Sequence, residues 1–140
     1  MIQTLSISTR QHSQMIDITG EVQAVLSKSG IQDGLVVVYC PHTTAGLTIN
    51  EDADPTVRAD ILDILDRLVP WQANYRHAEG NSAAHIKASL MGSSVSVPVE
   101  QGRMILGRWQ GIYFCEFDGP RSRRVQVQIL SEAWLAGESA

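Results

Sequence analysis

The chain has 140 residues, of which 44% are hydrophobic and 19% charged, with a formal net charge of −4. That length suits one domain with its own core, and the composition excludes a largely disordered or fibrous chain. A negative net charge argues against non-specific binding to nucleic acid, which needs a positive field, and no stretch approaches the roughly 18 apolar residues that span a bilayer.

In chain order, residues 4–8 alternate polar and apolar, the pattern of a half-buried strand. Residues 14–18 form a second strand, expected to pair with the first through a turn at 11–13. Thr19 is placed to cap a helix over residues 21–29, with Val22, Val25 and Leu26 on one face and Gly30 as its stop. Residues 34–40 are a continuous β-branched run, expected at the centre of a sheet and buried on both faces. Residues 47–50 resume as a short strand. Asp54-Pro55 marks a helix start, Val57, Ile61, Ile64, Leu65 and Leu68 follow at helical spacing, and Pro70 stops it. Residues 71–80 read as irregular. Asn81 or Ser82 caps a further helix that ends at Gly92. The last third is β: strands at 94–99, 104–106, 112–117 and 125–130, separated by turns at 100–102, 108–111 and 118–123. About eight strands and about three helices in mixed order give a single α+β domain over residues 1–140, with a frayed tail at 136–140.

Cys40 and Cys115 each lie in or at the end of an apolar run. Two cysteines make no disulfide framework, and both read as small buried hydrophobes. Pairing of a Cys40 thiolate with His42 requires the strand to continue through Pro41. The N-terminus lacks the basic and apolar regions of a signal peptide, so a cytoplasmic location with reduced thiols is expected.

Three segments concentrate chemistry. Pro41-His42-Thr43-Thr44-Ala45-Gly46 follows the strongest strand, where a rigid sheet can hold working residues. Its imidazole and two hydroxyls suit an anion or a metal-bound water, and Asn50-Glu51-Asp52 adds acidic and amide groups. A plain turn, with the threonines bonded to backbone, accounts for the same residues. His77-Ala78-Glu79-Gly80-Asn81 leads into a helix that places His85 one turn in. Neutral imidazole is the commonest metal ligand, and His42, His77 and His85 together would leave a fourth position open on zinc. Glu79 would act as a base or orient a histidine. The spacing is no known zinc signature, and for either histidine alone packing or exposure is the plainer account. Glu116-Phe117-Asp118-Gly119-Pro120-Arg121, with Ser122-Arg123-Arg124 behind it, offers guanidinium forks to phosphate, or is simply a turn. Glu116 sits in an otherwise apolar strand, so its carboxylate needs an arginine or a site.

The segments at 41–51 and 77–85, Gly107-Arg108-Trp109-Gln110-Gly111-Ile112, and Glu116-Phe117-Asp118-Gly119-Pro120-Arg121 together resemble the YjbQ-like family, whose members carry the description "secondary thiamine-phosphate synthase enzyme". The resemblance covers nearly the whole chain. It implies a compact α+β domain with a mixed or antiparallel β-sandwich core, and a homotrimer with sites near subunit boundaries. It also implies a thiamine-phosphate synthase activity, which joins hydroxymethylpyrimidine diphosphate to thiazole phosphate and releases pyrophosphate. On that reading a divalent metal would be held by His42, His77 and His85. Glu79, Asn81 and Glu51 would serve catalysis. Thr43, Thr44, Asn50 and Arg121 would hold a small phosphorylated substrate. Three imidazoles favour zinc, whereas a diphosphate usually takes magnesium through oxygen ligands. Two rival readings are a metal-dependent hydrolase of a small phosphorylated metabolite and a non-catalytic trimer that binds a small anion.

Overall fold

The structure, a computed structural model, describes residues 1–137. In chain order its elements are β1 (Ile2–Ser8), β2 (Gln14–Asp17), α1 (Thr19–Ser29), β3 (Gly34–Tyr39), β4 (Ala45–Glu51) and α2 (Pro55–Leu68). Then come α3 (Ser82–Met91), β5 (Ser94–Glu100), β6 (Arg103–Met104), β7 (Gln110–Glu116), β8 (Ser122–Ser131) and a short α4 (Glu132–Leu135). The strands form two antiparallel sheets, ordered β1-β8-β3-β5-β6 and β2-β7-β4. The α+β class is as expected from the sequence. The tail at 138–140 lies outside the described residues.

Local signals account for the helices. Asp54 Oδ1 accepts the Thr56 amide at 2.9 Å, with Pro55 in the first turn of α2. Gly30 ends α1 in the left-handed conformation, φ 72°. Thr19 is not the cap but the first helical residue. Asp17 Oδ1 accepts both its amide and its hydroxyl, and the same hydroxyl accepts the Ile112 amide at 2.8 Å.

Two expectations are corrected. β1 and β2 do not form a hairpin. β1 pairs with β8 and β2 with β7, in different sheets. Residues 9–13 are a crossover: the Thr9 amide donates to the Arg121 carbonyl at 3.0 Å, extending the β1–β8 ladder before the chain changes sheet. β3 is central, but only one of its faces is buried. Val36 and Val38 enter the core, whereas Tyr39, on the other face, is 46% exposed. The strand buried on both faces is β7. Ile112 and Phe114 pack between the sheets with Val36, Val38, Leu47, Val97, Val125 and Val127. Tyr113, Cys115 and Phe117 pack under α2 and α3 against Leu65, Ala84 and Ala88. Each fully buried large apolar side chain contributes about 1.5–3 kcal/mol relative to exposure.

Helix α3 lies close on β4. A Cβ at Gly46 would stand 2.8 Å from the Gly92 carbonyl oxygen, and the Leu47 amide donates to that same oxygen at 3.0 Å. This close approach sets the N-terminal end of α3 beside the exit of β7, where the polar residues gather.

Candidate functional site at the start of β4 and the end of β7

Glu116, the last residue of β7, is fully buried and wholly committed. Arg123 donates to it through Nε at 2.8 Å and Nη2 at 2.5 Å. The Thr9 hydroxyl donates at 2.8 Å, and the amides of Phe117 and Asp118 at 3.1 and 3.0 Å. Burial alone would raise its pKa, but the bonds from Arg123, Asp118 and Thr9 prevail and hold the carboxyl below the usual range. Arg123 Nη2 also donates to the Thr44 hydroxyl at 2.8 Å. Thr44, expected at a phosphate, is thus buried and already bonded. The network joins the ends of β1 and β7 to the starts of β4 and β8. A Cβ at Gly119 would meet Thr9 Oγ1 at 3.0 Å and the Gln11 carbonyl oxygen at 2.3 Å, so only glycine lets this turn close.

His42 stands just past the end of the β3–β8 ladder. Its Nε2 is 3.0 Å from the Arg124 amide nitrogen and 3.1 Å from the Arg124 carbonyl oxygen. The imidazole takes the place of the backbone partner that β3 no longer supplies. Its ring packs edge-on to Phe114, on the inter-sheet side. Burial first, then the Arg123 charge, lowers its pKa, so the ring is held neutral. Cys40 does not pair with it: its thiol donates to the Ala45 carbonyl at 3.4 Å, and burial raises its pKa. The Cys115 thiol is pushed up to about 12 by burial.

His77 and His85 do meet, with ring centroids 5.6 Å apart and planes at 88°. They border an open groove with Tyr75, Ser82 and Ile86. The expected three-histidine centre is not assembled within the chain. Among the described residues, no three His, Cys, Asp or Glu side chains form a group that could hold a metal ion. The reason is placement. His42 faces the inter-sheet core, whereas the other two belong to the loop and helix outside the three-stranded sheet. A tetrahedral zinc site needs at least three protein ligands, and the pair supplies two.

Asn50 and Glu51 are likewise set apart. They end β4, whose first residue is Ala45, and at about 3.3 Å per residue they lie roughly 20 Å from Thr44. Asn50 Oδ1 accepts the Glu51 amide at 2.7 Å, and the Glu51 carbonyl accepts the Tyr113 hydroxyl at 2.9 Å. Thr43 is exposed beside His42.

What the fold does gather is Glu79, Asn81 and Arg121, around an Asp118 that the sequence offered only as part of a turn. Asn81 Nδ2 donates to Glu79 Oε2 and to Asp118 Oδ2, both at 3.0 Å. Arg121 Nε donates to the Asp118 carbonyl at 2.8 Å, and its Nη2 is 3.2 Å from Asp118 Oδ2. Asn81 stands at the N-cap of α3, but its side chain makes no cap hydrogen bond; the amide group is turned toward the two carboxylates instead. Its Oδ1 is buried with no hydrogen-bond partner among the described residues. Flipping the amide would turn that oxygen onto two carboxylates, so the orientation is fixed. The site therefore presents an unpaired buried acceptor beside two acids and a guanidinium that is 48% exposed. Such an acceptor is satisfied by an ordered water or by an N–H or O–H of a ligand.

Sequence reasoning missed Lys87, which is 2% exposed on α3. A signal was present: Lys87 falls at helical spacing among Ala83, Ala84 and Ala88, the small residues that pack α3 down.

Two antiparallel sheets, α2 and α3 on the outer face of the smaller one and a polar cluster where the start of β4 and the end of β7 meet α3 define a small α+β protein with a preformed rim site. Residues 3–132 match the family model described as UPF0047 protein YjbQ-like, and the chain belongs to that family. It is 55% identical over 131 residues to the UPF0047 protein YugU of Bacillus subtilis, covering 93% of this chain and 99% of that one. A UPF0047 protein of Methanocaldococcus jannaschii is 47% identical over 132 residues, covering 94% and 96%. A crystal structure of a YjbQ/UPF0047-family protein from Clostridium acetobutylicum superposes with TM-score 0.90 at 56% identity, covering 91% of this chain and 99% of that one. Among the described residues no helix is long and apolar enough to cross a membrane.

Proposed function

We propose that the Glu79–Asn81–Asp118–Arg121 rim binds a small phosphorylated metabolite bearing N–H donors, and that the reaction is of the thiamine-phosphate synthase type. The observation that carries this reading is the unpaired Asn81 Oδ1. An aminopyrimidine diphosphate offers both features the rim lacks: amino protons for that oxygen and the two acids, and phosphate oxygens for Arg121. In the reaction the methylene C–O bond breaks and pyrophosphate leaves with the electron pair. The thiazole nitrogen lone pair then forms the C–N bond. The carboxylates face the cationic carbon and Arg121 the departing anion, so charge stabilisation does the work that a base would do elsewhere. No step is assigned to a metal, because the histidines supply only a pair. A homotrimer belongs to the same proposal, supported by the exposed apolar side chains Ile64, Leu68, Ile86 and Leu90 on α2 and α3. A reducing compartment is supported by the free, buried Cys40 and Cys115.

The test is to incubate the full chain with both substrates and quantify thiamine phosphate and pyrophosphate together. Equal amounts of the two, reduced about tenfold or more in Asn81→Ala and Arg121→Ala, support the reading. Pyrophosphate without thiamine phosphate points to hydrolysis. No turnover of either kind, with ligand still bound, leaves a binding protein.

A further inference from the structure

We propose that Lys87 forms a second anion subsite, separate from Arg121, which takes a phosphate oxyanion of a small metabolite. The inference deepens the reading above, since a reaction between two phosphorylated substrates needs two places for anions.

Lys87 is an unusual residue to bury, and its burial leads somewhere. Lys87 lines, with His12, Asp66, Pro70 and Trp71, a cavity of about 520 Å3. That size is within the range of roughly 300–1,000 Å3 typical of small-molecule sites. The ammonium has three donors, and Asp66 Oδ1 is the one acceptor it meets among the described residues. The Phe117 ring, with its centroid 5.9 Å from Nζ, adds a cation–π contact but accepts no strong hydrogen bond. Trp71 forms a wall, held edge-on by His12 with ring centroids 4.3 Å apart. The cavity thus has at its edge a buried cation with donors to spare, the inverse of the acceptor-rich Asn81 rim.

Asp66 fits this account. Its side chain is 60% exposed, whereas that of Lys87 is 3% exposed. A carboxylate mostly in water can swing away at little cost, so it acts as a replaceable counter-ion that holds the ammonium until an external oxyanion arrives. His12 joins the two subsites through the backbone: its carbonyl accepts the Gly119 amide at 3.0 Å, next to the Asp118 that bonds Asn81 and Arg121.

The probe is inorganic phosphate, titrated into the full chain at constant ionic strength, with tryptophan emission and heat followed together. The expected result is a saturable emission change that disappears in Trp71→Phe, weakens about tenfold or more in Lys87→Met, and tightens several-fold in Asp66→Asn. Arg121→Ala should leave this emission response in place. No Trp71-dependent response in the wild type, or equal affinity in Lys87→Met, would overturn the subsite. Should Lys87→Met fail to fold, Asp66→Asn decides, because it alters an exposed side chain: unchanged or absent binding there also overturns it. The two proposals fail separately. Phosphate bound at Lys87 without thiamine phosphate formed removes the synthase reading alone, and turnover that is indifferent to Lys87→Met removes the subsite alone.

Discussion

Arg123 and Lys87 are both buried cations with a carboxylate partner, and they serve the molecule differently. Arg123 meets a carboxylate as buried as itself, and each of their charged groups has further hydrogen bonds. Lys87 meets a carboxylate that stands mostly in water and has donors to spare. A saturated buried pair fixes geometry, whereas an unsaturated cation beside a cavity is available to a ligand. The largest expected effect follows. Arg123→Met leaves Glu116 buried without its counter-charge and should cost about 3–5 kcal/mol in urea unfolding. Replacing both partners by apolar residues should cost less than either single change, since no buried charge is then stranded. A double-mutant cycle measures this, and simple additivity would contradict the account of the network.

The same pair gives an acid limb. Because the folded-state pKa of Glu116 is depressed, its contribution is fully present above the unfolded value, roughly 4.3. It is lost as pH falls from there through the lower folded-state value. Stability followed between about pH 5 and pH 2 should drop more steeply in wild type than in Glu116→Gln.

Much of the fold was legible because its signals are local. Asp54-Pro55, Gly30 and Gly92 bracket their helices within a residue or two, and the need of Glu116 for an arginine or a site can be read from one polar residue in an apolar strand. Pairing was not legible, because alternation marks a strand without naming its neighbour. Hence the sequence suggests a β1–β2 hairpin through a turn at 11–13, whereas residues 9–13 change sheets. Burial on both faces was assigned to the β-branched run of β3 and belongs to β7, whose Ile-Tyr-Phe-Cys-Glu lacks alternation for just that reason. In the site, Asn50 and Glu51 are near Thr44 in sequence, but an extended strand carries them away from it. Glu79 and Asn81 read as one candidate cluster and Arg121 as part of another; the fold brings the three together through Asp118, which in the sequence looks like turn material.

His42 sharpens the contrast on a smaller scale. It reads as a metal ligand in the sequence and acts as a backbone partner for β8 in the fold. His42→Ala should cost about 1 kcal/mol, the worth of a typical hydrogen bond. Its folded-state pKa is depressed, so its contribution is present above the unfolded value of about 6.5 and is lost as pH falls below it. This limb lies above that of Glu116, and His42→Gln should remove it while leaving the lower one. Zinc bound stoichiometrically by the wild type and lost in His42→Ala would instead restore the three-histidine centre, through an assembly larger than one chain.

The smallest expected effect is the one that separates the two cations most clearly. Lys87→Met keeps the length and apolar character of a stem packed among Ala83, Ala84 and Ala88, and it strands no buried charge, because Asp66 is already largely solvated. What is lost is an ion pair with one partner in water, worth at most about 1 kcal/mol. Urea unfolding should therefore move little in Lys87→Met and greatly in Arg123→Met, although Lys87 is the less exposed of the two. A cation buried in the fold but nearly neutral to its stability is there for something other than folding. A loss from Lys87→Met as large as that from Arg123→Met would make Lys87 a second structural tie, between α2 and α3, and would remove the reason to look for a ligand at its end.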